Sequence, residues 1–123
     1  MSQVNIFTDG SKTAHHVGAG FTIRRGNNTM VENSYKLPNN CTVFQAEIYA
    51  IKMAMQSFND HILHSDAYIK VFSDSRAAIQ ALNSNFFSSQ LVKDTVTHLN
   101  IIGSKVNRLE ISWIKAHVGH EGN

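Results

Sequence analysis

The sequence has 123 residues, of which 42% are hydrophobic and 16% are charged, and its formal net charge is +2. This length and balance indicate one folded domain over residues 1–123 and exclude a disordered chain. No membrane span, signal peptide, internal disulfide or multi-cysteine zinc site is expected, because the apolar runs are short and the single cysteine is Cys41.

Three strands are predicted for the first third of the chain. The first is indicated by the alternation in VNIFTDGSK, which puts Val4 and Ile6 on one side and Asn5 and Phe7 on the other. Two more are indicated by HHVGAGFTIRRGNN and TMVENSYKL, with the Gly and Asn of a hairpin turn between them. Together they predict an antiparallel three-stranded meander.

A helix is predicted after Pro38, because Thr42 and Gln45 have the spacing of a capping box. Its apolar positions recur at helical spacing and predict a stripe that faces the core. This stripe comprises Phe44, Ile48, Ile51, Met55 and Phe58.

The rest of the chain predicts a buried strand in DAYIKVFS, a short helix in DSRAAIQAL, a longer helix in SSQLVKDTVTHLNIIGSK and a last strand in RLEISWIK. The order β-β-β-α-β-α-α-β indicates a mixed α/β fold, with helices packed on a five-stranded sheet. Because crossovers join the later strands, strands one, four and five are expected to be parallel.

Three acidic residues have an ordinary structural interpretation when each is taken alone. Asp9 could form a turn with the glycine that follows it. Glu47 shares the apolar helical stripe, so it lies either at the rim of that stripe or in a functional site. Asp74 could cap a helix, although it also ends a predicted parallel strand, where open α/β sheets bind ligands.

Taken together, the three carboxylates predict a metal site. They converge if strands one and four are neighbours and the first helix packs across them. Two like charges about 4 Å apart cost on the order of 4 kcal/mol at an effective dielectric near 20, so such a cluster binds protons or a cation. Oxygen ligands alone favour Mg²⁺ or Mn²⁺, and paired ions serve in-line displacement at phosphorus.

Four sequence segments that contain the acidic and histidine candidates occur in the following order: FTDGS, FQAEIYAI, FSDSRAAIQAL and WIKAHVGHEGN. Over essentially its whole length the chain resembles the type 1 ribonuclease H family, most closely the domain found beside a reverse transcriptase in retroelement polyproteins. The resemblance implies the ribonuclease H-like fold and hydrolysis of the RNA strand of RNA–DNA hybrids, which leaves 5′-phosphate and 3′-hydroxyl ends. It also implies two Mg²⁺ ions, with Mn²⁺ as a substitute, and a reverse transcriptase in the same polyprotein. We expect an intracellular domain, in cytoplasm or nucleus, that is monomeric in isolation.

The resemblance assigns catalytic roles residue by residue. Asp9, Glu47 and Asp74 match three of the four acids that hold the metals in this family. His117 matches a loop histidine that positions or deprotonates the water, or helps to release product. The fourth acid lies on a last helix that begins with an Asn-Glu pair, and Asn123 stands where that pair would start. We therefore interpret the sequence as cut before its last helix, with a weakly held second ion.

The same resemblance indicates residues that would contact the hybrid. The family reads the shape of the hybrid and its 2′-hydroxyls across the minor groove. Val43 and Phe44 stand where the family has a polar pair, which leaves that contact incomplete. The candidates for nucleic-acid binding are Gly10, Ser11, Lys12, Thr42, Gln45, Ser75 and Arg76.

Two other functions remain open for this sequence. A catalytically weak or inactive module with the same fold, serving as a nucleic-acid-binding or spacer domain, would fit the missing acid and the altered polar pair. Another nuclease of the same fold, such as a 3′–5′ exonuclease or a strand-transfer domain, is disfavoured by the terminal HVGHEGN.

Overall fold

The computed structural model describes residues 2–84 and 89–115. The eight elements are β1 (Ser2–Lys12), β2 (Val17–Arg25), β3 (Asn28–Leu37), α1 (Val43–His61), β4 (Ala67–Ser73), α2 (Arg76–Asn83), α3 (Gln90–Lys105) and β5 (Arg108–Trp113). Their order confirms the order predicted from the sequence. His117 and Asn123, with the terminal HVGHEGN, lie outside the described residues.

The five strands form one sheet in the order β3-β2-β1-β4-β5. The β1–β2 and β2–β3 pairs are antiparallel, and the β1–β4 and β4–β5 pairs are parallel. The β2–β3 hairpin turns at Gly26, whose φ of 58° lies in the left-handed region that glycine adopts without strain. This sheet confirms the predicted mixed α/β class.

The core lies between the sheet and the helices. Val4 and Ile6 are fully buried, whereas Asn5 and Phe7 on the other side of β1 are only partly buried. Helix α1 lies against β1 and β2 and also packs on α3. The core residues of its stripe are Ile48, Ile51, Met55 and Phe58, each with no exposed surface. Burial of each such side chain contributes roughly 1.5–3 kcal/mol, so this face fixes the rotation of α1 on the sheet.

The start of α1 is fixed by the predicted capping box. The Thr42 hydroxyl accepts a hydrogen bond of 3.0 Å from the backbone N–H of Gln45, and the Gln45 carboxamide accepts one of 2.8 Å from the backbone N–H of Thr42. Without these bonds, both N–H groups would lack an acceptor at the start of the helix. The box therefore sets the register of α1. Among the described residues, no helix has the length and apolar content needed to cross a bilayer.

Candidate metal centre

Asp9 on β1 and Asp74, directly after β4, hold matching positions on neighbouring parallel strands. The last pair in the β1–β4 ladder is Phe7 with Phe72, whose rings stack 5.1 Å apart. Asp9 and Asp74 follow this pair by two residues each, at the same edge of the sheet. The Thr8 hydroxyl donates a hydrogen bond of 2.9 Å to the Phe72 carbonyl oxygen, which holds the two strands together beside the site.

The third carboxylate is brought in by a very close approach of α1 to β1. A Cβ atom on Gly10 would lie 2.5 Å from the Glu47 backbone nitrogen and 2.8 Å from the Ala46 carbonyl carbon. The Gly10 N–H also donates a hydrogen bond of 2.9 Å to Glu47 Oε1. Glycine at this position therefore lets the helix backbone rest on the strand, and it orients the Glu47 carboxylate.

The three carboxylates converge. Asp9, Glu47 and Asp74 each offer an oxygen within 4.8 Å of the others. Their ordinary structural interpretations fail, because Asp9 lies inside β1, and Glu47 is buried with 6% of its surface exposed. The cap of α2 is Ser75, whose hydroxyl accepts a hydrogen bond of 3.1 Å from the Ala78 N–H. The helix begins one residue later than a cap at Asp74 would require, and this leaves the Asp74 carboxylate to the cluster.

Crowding of these acids changes the protonation of Glu47. Burial, followed by the negative charges of Asp74 and Asp9, raises the pKa of Glu47 from 4.5 to about 8. A hydrogen bond with Asp74 raises this pKa further, and the Gly10 N–H opposes the shift. At neutral pH the metal-free cluster therefore retains a proton on Glu47.

The donor set fits a hard divalent cation. All three ligands are carboxylates, which suit Mg²⁺ or Mn²⁺ rather than zinc or copper. A bound cation would oppose the proton uptake, because its positive charge favours ionised Glu47 and offsets the mutual repulsion of the acids. Asp9, Glu47 and Asp74 are the group of potential metal ligands that the described residues contain.

Comparison with known proteins assigns the chain to a family. The family model for RNase H matches residues 1–123. The chain belongs to the RNase H family. Its fold is similar to that of the crystal structure of RNase H1 from the halophilic archaeon Halobacterium salinarum NRC-1, with a TM-score of 0.72 at 16% sequence identity. That match covers 93% of this chain and 86% of the archaeal one. A search of the curated proteins gives no match.

The nucleic-acid candidates on β1 of this RNase H chain have different surroundings. Gly10 contacts α1 and Glu47, as described above. The Lys12 ammonium donates a hydrogen bond of 2.8 Å to the Cys41 carbonyl oxygen and so ties the end of β1 to the loop before α1. Ser11 is exposed, and together with Asp9 it lines an open groove of about 360 Å³. Ser11 is the candidate on β1 whose position beside the carboxylates suits contact with a substrate.

The remaining nucleic-acid candidates begin helices. Thr42 and Gln45 are exposed, and their side chains form the capping box of α1. The Ser75 hydroxyl caps α2. The guanidinium of Arg76, next along the chain, lies 4.1 Å from the centre of the Trp113 ring. The structure therefore gives each of these side chains a local partner and places Ser75 and Arg76 directly after Asp74.

Sequence reasoning about the site did not single out Trp113. Its indole Nε1–H donates a hydrogen bond of 3.1 Å to the Asp74 carbonyl oxygen. The sequence predicts β4 and β5 to be parallel, but their pairing, in which Trp113 ends β5 opposite Ser73 at the end of β4, is seen only in the structure. The carboxyl ends of such strands meet at one edge, where the carboxylates also lie.

The raised pKa of Glu47 predicts that metal binding by this RNase H chain depends on pH. A cation must displace the Glu47 proton below pH 8, so we expect Mg²⁺ affinity to rise by roughly 25-fold between pH 6.5 and pH 8.5. The stability of the metal-free chain changes with pH in the opposite direction, because the folded state binds the Glu47 proton more tightly than the unfolded state does. This contribution to stability is complete below pH 4.5 and is lost as pH rises through about 8. The melting temperature should therefore fall between pH 4.5 and pH 8.

Both effects can be measured by thermal denaturation at several pH values, with Mg²⁺ and with a chelator. Glu32→Gln is the matched control, because Glu32 is an exposed acid on β3 outside the cluster. Its pH profile should follow that of the wild type, whereas Glu47→Gln should flatten the profile. Equal Mg²⁺ affinity at the two pH values would contradict the expectation.

Proposed function

We propose that this chain is a metal-dependent endoribonuclease that hydrolyses the RNA strand of RNA–DNA hybrids. The observation that carries the proposal is the convergence of three carboxylates within 4.8 Å, at one edge of the sheet in a member of the RNase H family. Hydrolysis of a phosphodiester needs a nucleophile and stabilisation of negative charge, and carboxylates that hold divalent cations provide for both.

Asp9, Glu47 and Asp74 are the proposed metal ligands, with Mg²⁺ as the physiological ion and Mn²⁺ as a substitute. Two ions bound there would activate the attacking water and stabilise the leaving oxygen. The Gly10 N–H holds Glu47 Oε1 in place, and Glu47, whose pKa is raised, would have to lose its proton to hold a cation. His117 is proposed to position or deprotonate the water or to assist product release.

The hybrid is proposed to bind across the edge that carries the carboxylates. Ser11 lines a groove with Asp9, and Ser75 and Arg76 directly follow Asp74 in the chain, which supports contacts of these polar and cationic groups with the hybrid. Lys12 and the α1 start at Thr42 and Gln45 complete the proposed surface. Backbone contacts by such groups recognise the shape of a hybrid rather than its sequence.

We further propose that the domain works beside a reverse transcriptase in an intracellular retroelement polyprotein. The order of its four motifs supports this context. The connection between α2 and α3, residues 84–89, contains no lysine or arginine. A connection without cations offers no charged partners for phosphates, so a neighbouring domain would have to supply part of the affinity.

The test is cleavage of a hybrid labelled on its RNA strand, in Mg²⁺, in Mn²⁺ and with a chelator. We expect metal-dependent cuts in the RNA strand that leave 5′-phosphate and 3′-hydroxyl ends, with no cleavage of duplex DNA. Hybrid binding without cleavage in either metal would favour the alternative of a binding or spacer module. Faster cleavage of single-stranded DNA would favour another nuclease of the same fold.

A further inference from the structure

Asp74 is the single residue between β4 and the cap of α2, so it belongs to neither element. It follows the last residue of β4, Ser73, and precedes the cap of α2, Ser75. The Ser73 hydroxyl accepts a hydrogen bond of 3.1 Å from the Ser75 N–H, and the Ser73 carbonyl accepts one of 3.0 Å from the Ile114 N–H. The Ser75 N–H and the Asp74 carbonyl belong to one planar peptide group, so the Ser73 hydroxyl holds this group at its N–H end. A second contact, at the carbonyl oxygen, would complete its orientation.

A side chain from the neighbouring strand contacts that oxygen. Trp113 ends β5, and its indole N–H reaches across the sheet edge to the Asp74 carbonyl at 3.1 Å. An indole nitrogen can only donate, so the Asp74 carbonyl oxygen is the acceptor in this contact and is held toward the indole. Because the carbonyl and the carboxylate of one residue share a Cα atom, a fixed peptide restricts where the Asp74 carboxylate can lie.

The indole itself is held by a cation rather than by the core. Trp113 has 43% of its surface exposed and is not among the residues of the core cluster. The Arg76 guanidinium lies 4.1 Å from its ring centre, a distance at which the attraction between cation and ring is favourable. A tryptophan that is 43% exposed, lies outside the core cluster and contacts both Asp74 and Arg76 is placed to act at the site.

We propose that Trp113 is a positioning residue for the metal ligand Asp74, with Arg76 holding the indole in the orientation that its N–H bond requires. The inference rests on the function proposed above and extends it to the groups that support the ligand. Outer partners of metal ligands fix ligand orientation, and their loss commonly weakens metal affinity or activity by 10- to 100-fold. Trp113 acts through Asp74 and makes no contact with the ion.

The test compares Trp113→Phe with the wild type in titrations of Mn²⁺ alone, followed by electron paramagnetic resonance of the free ion. Phenylalanine retains a ring beneath Arg76 but lacks the N–H group. We expect Mn²⁺ affinity to fall by about tenfold, and the Mg²⁺ concentration for half-maximal cleavage of the hybrid to rise by a similar factor. The melting temperature without metal should change by less than about 3 °C, because little buried surface is lost.

Tyr68→Phe is the matched control. Tyr68 lies on β4, and the guanidinium of Arg108 lies 5.2 Å from the centre of its ring. Removal of the Tyr68 hydroxyl should leave Mn²⁺ affinity unchanged. A second variant, Arg76→Lys, keeps the charge but loses the planar group that stacks on the indole. It should weaken Mn²⁺ binding by a smaller factor in the absence of nucleic acid.

The outcomes separate this inference from the proposed function. Wild-type Mn²⁺ affinity in Trp113→Phe would overturn the role of Trp113 while leaving the nuclease proposal intact. A wild-type chain that binds no Mn²⁺ and cuts no hybrid would overturn both. If Trp113→Phe does not fold, Arg76→Lys decides the matter, and an unchanged Mn²⁺ affinity in that variant counts against the inference.

Discussion

Replacing Asp74 by asparagine is expected to reduce metal-dependent cleavage of the hybrid by about a thousandfold. Asparagine keeps the size of the side chain and the backbone carbonyl that accepts the Trp113 N–H, but it removes one of three charges that would hold the cation. The attraction between two unit charges about 4 Å apart is on the order of 4 kcal/mol at an effective dielectric near 20, and each 1.4 kcal/mol corresponds to about tenfold in rate.

The same substitution should stabilise the metal-free protein. The negative charge of Asp74 raises the pKa of Glu47, so its removal relieves repulsion within the cluster. We therefore expect Asp74→Asn to melt at a higher temperature than the wild type in chelator at pH 8, and to lose most of the stabilisation by Mg²⁺. Activity and stability would thus move in opposite directions, which is typical of strained functional sites.

Asp60→Asn provides the charge-matched control for this experiment. Asp60 is exposed near the end of α1, outside the carboxylate cluster, and its substitution changes the net charge by the same amount. It should retain full cleavage and full stabilisation by Mg²⁺. Near-normal cleavage by Asp74→Asn would remove this residue from the proposed metal site.

The arrangement of the carboxylates could be predicted in part, because it depends on the alternation of residues along strands and on helical spacing. Alternation in the first and fourth strands places Asp9 and Asp74 two residues beyond paired phenylalanines, and helical spacing places Glu47 on the buried face of α1. The crossovers predict that β1 and β4 are parallel, and the structure supplies the remaining condition, that they are neighbours. Register, face and topology together bring the acids to one edge.

Contacts between distant side chains could not be predicted in this way. The bond from Trp113 to Asp74 spans 39 positions in the chain, and the bond from Lys12 to Cys41 spans 29. Periodicity carries no information about such pairs, because they depend on loop paths and on individual rotamers. Residue type alone also does not distinguish Asp74 from Ser75 as the cap of α2, since both are suitable capping residues.

Exchanging Gly10 for alanine is expected to produce the largest loss of stability among single-methyl changes at the site. The added Cβ would lie 2.5 Å from the Glu47 nitrogen and 2.8 Å from the Ala46 carbonyl carbon, both of them backbone atoms of a helix that cannot rotate away. Overpacking of this kind costs about 1–3 kcal/mol or more, which corresponds to a fall in melting temperature of roughly 10 °C. Circular dichroism with heating measures this directly.

Gly103→Ala separates steric conflict from the general effect of replacing glycine. A Cβ at Gly103, inside α3, would meet only the Leu109 side chain at 3.6 Å, an ordinary contact. Alanine there should stabilise the protein by about 0.5–1 kcal/mol, because it favours the helix and restricts the unfolded chain. A Gly10→Ala protein as stable as Gly103→Ala would show that α1 can shift away from β1. Because α1 carries Glu47, such a shift should still weaken Mg²⁺ binding. Normal Mg²⁺ affinity in Gly10→Ala would therefore show that the close contact between α1 and β1 does not position the Glu47 carboxylate.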